Sequence, residues 1–445
     1  MKIPQTPPSV QKLLAELGKP ERMFAILGAI SGLEHEGRYF HWDELRFRTP
    51  PKGLTQSEWW LGLKMNRQIT RRKVPLLDKT GEPFYFVVPD SVSDLLHKID
   101  RGGGTLVDIP ETMTSPEQRD RYVVRSLMEE AITSSQLEGA ATTRQVAKKM
   151  LAEGRKPRDR SERMILNNFL TMRRIVELRD QPMTPDLVFE IHREISDGTL
   201  DIADGAGRFR RVQETIDVSD LEGRVFHVPP SAEELPARLE RMCEFANGQP
   251  PGQFMHPVVR AIILHFWLAY DHPFVDGNGR TARALFYWHL LRSGYWLFEF
   301  ISISQILRKA PAQYGQAFLH TETDENDLTY FVLHQAKVIQ RAIQELHDYV
   351  VRKSRETRSS MDLLHRHPDL NHRQQALLTH ALKHPGFAYT IQGHGTRHAV
   401  VYQTARTDLL DLARMTFLEQ RKAGRSLVFV APPDLEKRLR VGTGK

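Results

Sequence analysis

Twelve consecutive residues of this 445-residue chain, His272 to Arg283, read His-Pro-Phe-Val-Asp-Gly-Asn-Gly-Arg-Thr-Ala-Arg and hold the side chains best placed to do chemistry. His272 can take a proton near neutral pH, where imidazole titrates without any perturbation. Asp276 offers one hard carboxylate, the usual protein contribution to a magnesium ion that also rides on substrate phosphates. Gly277, Asn278 and Gly279 open a helix, and the first turn of a helix leaves backbone N–H groups unpaired at the positive end of the macrodipole. Glycine there lets phosphate oxygens approach the main chain. Arg280 and Arg283 share a helix face and add forked donors suited to phosphate. Singly, these features say less: a histidine at a helix end is usually a cap, and Gly-Asn-Gly is usually just a turn. Base, metal ligand and phosphate cradle in one short stretch describe a site for phosphoryl or nucleotidyl transfer.

Two apolar segments must position this loop. His256 to Tyr270 (HPVVRAIILHFWLAY) repeats apolar residues at three- and four-residue spacing and predicts a buried helix, and Thr281 to Leu291 predicts another. Pro273 is expected to end the first helix and Asn278-Gly279 to open the second.

The twelve residues fill every position of the pattern HPF-x-(D/E)-GNGR-x-x-R, and on them the chain resembles the Fic family. The resemblance implies a mainly helical Fic core that moves AMP from ATP to a Ser, Thr or Tyr hydroxyl of a protein and releases pyrophosphate. Carried over by position, His272 deprotonates the target hydroxyl and Asp276 holds Mg²⁺. Gly277, Asn278 and Gly279 form the anion hole around the α- and β-phosphates, Arg280 contacts the phosphates, and Arg283 reaches the γ-phosphate. Tyr314 falls where some members contact the nucleoside, though its flanking residues match poorly. A second stretch, Ser134-x-x-x-Glu138-Gly139, ends a helix expected over 115–139. Alone, Glu138 would be a solvated charge before a C-terminal glycine. Beside the full pattern it resembles the family's inhibitory motif, (S/T)-x-x-x-E-(G/N), which implies that Glu138 pairs with Arg283 and fills the space of the γ-phosphate.

Three domains are expected. Residues 1–110 read as an N-terminal helical module: Val10–Leu17 and Glu21–Leu33 helical, Pro83–Pro89 strand-like, Gly102-Gly103-Gly104 a flexible break, Trp59-Trp60 and the cluster Tyr39–Pro51 as core. Residues 111–350 read as the Fic domain. Its first helix opens on Ser115-Pro116-Glu117-Gln118, which has the form of a capping box, and Ala140–Met150, Arg160–Leu178 and Thr184–Ser196 follow as helices. Val212–Val218 and Arg224–Val228 predict a β-hairpin, where the resemblance places a flap that pairs with the target segment. Ser231–Phe245, interrupted at Pro236, Ile301–Ala317 and Asn326–Val351 complete the domain. Residues 360–445 hold three helices, Leu370–His384, Thr390–His398 and Val401–Leu412, and a hairpin, Leu418–Val430, around Lys422–Gly424. These are the parts of a winged helix-turn-helix, with Tyr402–Met415 as recognition helix.

Apolar content of 40% and charged content of 26% are those of a globular chain. The longest apolar run, Ala261–Tyr270, is half the length of a membrane span, so no membrane insertion is expected. The start, MKIPQTPPSV, has no apolar signal region, and the single cysteine, Cys243, fits a reducing compartment, so a cytoplasmic protein is expected. The net charge of +7 is uneven: Arg352 to Lys445 contains 17 Lys/Arg against 8 Asp/Glu, a balance of +9 that leaves −2 for the rest. Such a surface suits DNA, but a solvated basic face, a protein-docking element or a homodimer contact carries it equally. The expected function is Mg²⁺- and ATP-dependent AMP transfer to a protein, itself included, restrained by Glu138. Three alternatives stay open from sequence: removal of AMP with Glu138 aligning a water, a different nucleotide donor, and a DNA-binding regulator whose core only senses a nucleotide. His272 argues against the last, since a sensor needs no base.

Overall fold

A computed structural model of the chain describes residues 2–18, 20–104, 116–202, 204–219, 222–249, 254–423 and 426–441. The fold is mainly helical, and the chain divides into two units, Met1–Leu346 and His347–Lys445. No helix among the described residues is long and apolar enough to cross a membrane.

In the first unit, Ser9 caps α1 (Val10–Glu16), and α2 (Pro20–Ala29) and α3 (Trp42–Leu45) follow. Thr55 and Glu58 close a reciprocal capping box on α4 (Gln56–Thr70). Val10, Leu13, Ile26, Phe40, Trp59 and Trp60 are buried together, so the paired tryptophans are packing residues. An antiparallel hairpin of β1 (Arg72–Leu77) and β2 (Pro83–Phe86) leads to α5 (Asp90–Gly104). The three glycines at 102–104 close α5 and are not a break, because a Cβ at Gly102 would lie 2.8 Å from Ile343 Cγ2 and only glycine allows that approach. Buried charges tie this region to the rest of the unit. Lys64 donates to Asp324 at 2.8 Å, Arg67 to the Tyr330 hydroxyl at 3.2 Å, and Tyr39 to Asp327 at 2.5 Å.

The middle of the unit holds α6 (Pro116–Leu137), α7 (Arg144–Glu153), α8 (Arg160–Leu178) and α9 (Pro185–Ser196). Ser115 of the expected capping box lies outside the described residues. Strands β3 (Val218–Ser219) and β4 (Val225–His227) pair antiparallel but are shorter than the sequence predicts. Residues 212–217 leave the ladder, because Glu214 accepts from the Arg211 N–H at 2.6 Å and from Arg208 at 2.8 Å; side-chain bonds to a local turn displace strand pairing. A short 3-10 turn at Ala232–Glu234 feeds α10 (Leu235–Ala246), and Pro236 sits in the first turn, where a missing N–H costs nothing, so it does not interrupt the helix.

Two helices, α11 (Pro257–Asp271) and α12 (Asn278–Arg292), then pack along each other at the centre. The expected helix 301–317 is two, α13 (Ile303–Lys309) and α14 (Pro311–Thr323), since Ala310 before Pro311 is forced out of helical geometry (φ −145°, ψ 62°). Buried Glu130 on α6 locks that helix to this centre, accepting from the Tyr287 hydroxyl at 2.9 Å, Ser302 Oγ at 2.7 Å and the Ser304 N–H at 3.1 Å. The long α15 (Thr329–His365) carries the chain into the second unit.

The second unit is α16 (His372–Lys383), β5 (Ala388–Thr390), α17 (Ile391–His398), α18 (Tyr402–Arg414), β6 (Glu419–Ala423), β7 (Ser426–Val430) and α19 (Leu435–Val441). Its sheet is antiparallel in the order β5-β7-β6, around a core that includes Leu378, Ala405, Leu409, Leu412 and Phe429. The strand β5 carries no sequence signal of its own: it is three residues long, and Thr390 serves both as its end and as the N-cap of α17.

Candidate active site

The loop between α11 and α12 gathers the predicted site. α11 stops one residue before Pro273, because His272 itself turns left-handed (φ 45°, ψ 56°) while its N–H still donates to Leu268 O at 3.0 Å. A non-glycine residue there costs on the order of 1 kcal/mol and must be held. Arg210 holds it: its N–H donates to Pro273 O at 2.8 Å, its Nε to His272 O at 2.9 Å, and its guanidinium also reaches Pro230 O. The Nδ1 of His272 lies 3.1 Å from Ala269 O. A carbonyl can only accept, so Nδ1 carries the hydrogen and Nε2 presents its lone pair. Burial lowers the His272 pKa and outweighs the Ala269 bond, so the ring is neutral near pH 7.

The rest of the loop is fastened by its own side chains. Asn278 brackets Phe274, accepting from its N–H at 2.9 Å and donating to its carbonyl at 2.8 Å, so only the Asn278 backbone N–H is left for an anion. Gly277 takes φ 85°, which favours glycine. Asp276 Oδ1 accepts from the Gly277 N–H at 2.5 Å, and its Oδ2 lies 3.5 Å from Arg160.

His192 on α9 was not legible as part of the site. Its Nδ1 accepts from the Gly207 N–H at 3.0 Å, its Nε2 donates to Asp276 O at 2.9 Å, and its ring stacks on Phe274 with centroids 3.7 Å apart. Burial holds its pKa down at about 4, so it positions the loop as a neutral ring. It stands 84 residues before Asp276 on an apolar helix face, where a histidine reads as core.

The two arginines turn to different partners. Arg283 is 1% exposed; its Nε donates to Ser134 Oγ at 2.8 Å and its Nη2 to Ser134 O at 3.1 Å and Glu138 Oε1 at 2.8 Å. Burial pushes the Glu138 carboxyl up, but the charge and hydrogen bond of Arg283 outweigh it, and its pKa falls below the ordinary value. Glu138 follows α6, and Gly139 after it is left-handed (φ 90°), as its place after a helix predicts. A Cβ added at Gly279 would lie 2.1 Å from Glu138 Oε1, so this carboxylate rests on the first turn of α12, where an anion is favoured. Arg280 instead donates to Ile195 O at 3.1 Å, and its Nη2 stands 3.7 Å from Asp276 Oδ1. Its Nε and Nη2 are buried without a hydrogen-bond partner. Such unmet donors cost roughly 1–3 kcal/mol, a debt that phosphate oxygens would clear. Tyr314 is engaged elsewhere: its hydroxyl is 2.8 Å from His265 Nε2, and burial raises its pKa to about 12.

The residues fit magnesium of one kind. No cluster of three or more His, Cys, Asp or Glu suited to a metal occurs among the described residues, and Asp276 offers one oxygen beyond its backbone bond. That set suits an ion carried mainly by substrate phosphates and water.

A loop of this make on a helical scaffold defines a class, and comparison with known proteins gives its name: residues 182–290 match the sequence model of the Fic/DOC family, and the chain carries a Fic domain. Protein adenylyltransferase Fic of Nematostella vectensis is 29% identical over 233 residues, covering 52% of this chain and 49% of that protein. The Drosophila ananassae protein of the same name is 37% identical over 108 residues, covering 24% of this chain and 20% of its own length. The chain thus spans about half the length of the first relative and about a fifth of the second. A solved Fic family protein from Desulfovibrio desulfuricans G20 shares the fold, with a TM-score of 0.55 and 17% identity over 78% of this chain and 97% of that one.

Proposed function

We propose that this protein is an adenylyltransferase that moves AMP from ATP to a Ser, Thr or Tyr hydroxyl of a protein, itself among the targets, and that Glu138 restrains it. The observation that carries the reading is the Glu138 carboxylate resting on the first turn of α12 and paired with Arg283, beside a His272 whose Nε2 lone pair is unused. In the reaction the target oxygen bonds the α-phosphorus, the bond to the β-phosphate bridging oxygen breaks, and pyrophosphate leaves. The hydroxyl proton passes to His272 Nε2. The N–H groups of Asn278 and Gly279, with Arg280, hold the phosphates through donors that Glu138 and empty space now face. Arg283 takes the γ-phosphate once Glu138 is displaced. Mg²⁺ supplies charge neutralisation of the phosphates, held to the protein by Asp276. His192 and Arg210 keep the loop in register. The β3–β4 hairpin is the edge along which a target segment adds as a strand.

We assign residues 1–110 to the scaffold of the catalytic unit, and the second unit, with its helix-turn-helix order and sheet, to a winged-helix module that recruits a partner. The buried Cys243, its thiol pushed up to about 12 by burial, suits a cytoplasmic protein.

The test is incubation of wild type and Glu138→Gly with α-labelled ATP in a cell lysate, read by mass spectrometry. Adenylate on Ser, Thr or Tyr side chains supports the reading. Release of AMP from a pre-modified target, with no transfer by either variant, assigns the reverse reaction instead.

A further inference from the structure

The second unit shows a face that AMP transfer does not use. α17 and α18 meet through Ala399, left-handed at φ 52°, and pack closely: a Cβ at Gly395 would lie 3.2 Å from Val400 O and 3.6 Å from Ala405 Cβ. One buried carboxylate sets the angles of all three helices. Asp408 on α18 accepts from Asn371, the N-cap of α16, at 2.8 Å and from Arg373 Nε at 2.7 Å, and lies 3.1 Å from His394 Nε2 on α17.

With that acid turned inward, the outward stripe over the first two turns of α18 is Tyr402, Gln403, Arg406 and Thr407, with Tyr402 63% exposed. The spacing i, i+1, i+4, i+5 puts them on one side. Neither Asp nor Glu shares the stripe: Asp408 is buried, and Asp411 pairs with Arg414 at 3.0 Å. On β6, which packs on α18, Arg421 and Lys422 are exposed. The last 94 residues, Arg352 to Lys445, hold 17 Lys/Arg against 8 Asp/Glu.

We propose that this face reads duplex DNA, with the N-terminal half of α18 in the major groove. Arginine matches the acceptor pair of guanine, glutamine matches the donor and acceptor of adenine, and a helix fits that groove and no narrower one. Arg406 and Gln403 contact base edges, and Arg421 and Lys422 contact phosphates, which position without reading sequence. The inference deepens the recruiting role given to this unit by naming its partner, and it does not depend on AMP transfer.

The full chain is put through selection from a fluorescein-labelled random duplex pool at low salt, with the bound fraction sequenced. A recurrent motif should enrich, and affinity for it should fall steeply with salt, since each neutralised phosphate releases counterions. Arg406→Ala should relax one position of the motif and weaken the selected site roughly tenfold or more, while Lys422→Ala should weaken all sequences evenly. Both residues are exposed, so thermal melting and AMP transfer should not change. Binding without any enriched motif overturns base reading. No duplex retention at low salt overturns DNA as the partner; self-association by light scattering in that case would leave the recruiting role standing with a second copy as its partner.

Discussion

Replacing Glu138 by glycine removes the carboxylate while leaving the other contacts of Arg283 in place, because Ser134 accepts from Nε at 2.8 Å and from Nη2 at 3.1 Å through different atoms. The arginine therefore stays in position and is freed, not lost. What disappears is one charge-assisted hydrogen bond of 2.8 Å. Bonds of this kind contribute about 1.5–3 kcal/mol. The Glu138 side chain is 28% exposed, which screens the pair toward the lower end. At about 1.4 kcal/mol per factor of ten, Glu138→Gly should raise AMP transfer by about tenfold, and by no more than about 150-fold. The assay is the initial rate of label transfer from α-labelled ATP, to the protein itself and to a lysate, over a range of ATP concentrations. Arg283→Ala in the same background should lose the gain, because the γ-phosphate then has no partner. A Glu138→Gly rate equal to or below wild type refutes the reasoning, since the carboxylate would then not compete with nucleotide.

Gly279→Ala in the Glu138→Gly background places a methyl where Glu138 Oε1 now lies and should cut kcat/KM for ATP on the order of tenfold or more; titration calorimetry of ATP binding separates this from a fold defect. Asp324→Asn strands the Lys64 ammonium, whose burial and carboxylate neighbours hold its pKa well up, and should cost about 3 kcal/mol of stability in chemical denaturation. Glu325, 3.1 Å from Lys64 but 44% exposed, keeps the loss at the low end of the usual range. For the active variant, kcat/KM should stay flat through neutral pH and fall only below the ordinary imidazole value of about 6.5. The sign follows from burial, which lowers the His272 pKa and so delays protonation of the base on acidification. Glu138 raises that pKa, so its removal moves the acid limb further down, and a limb at or above 6.5 contradicts the assignment.

The site loop was legible because its chemistry is local: His272 to Arg283 needs twelve consecutive residues, and the two flanking helices announce themselves by apolar spacing. The contact between Glu138 and Arg283 spans 145 residues and was reachable only through family resemblance. His192 and Arg210 were out of reach for the same reason, without a motif to help: their partners are backbone carbonyls and N–H groups that meet them only in the folded chain. Element ends were misjudged where one side chain decides the local backbone. Glu214 turns a strand into a turn, Pro311 splits a helix, and His272 ends α11 in a conformation usually left to glycine.

The central claim is that His272 is the base of an AMP transfer. Its most direct test is Glu138→Gly/His272→Ala against Glu138→Gly alone, with transfer measured by mass spectrometry and ATP binding by calorimetry. Loss of a general base costs ~10²- to 10⁴-fold, and nothing in the anion cradle is touched. The account predicts transfer lost by that factor with ATP affinity kept; transfer at an undiminished rate with ATP still bound would contradict it.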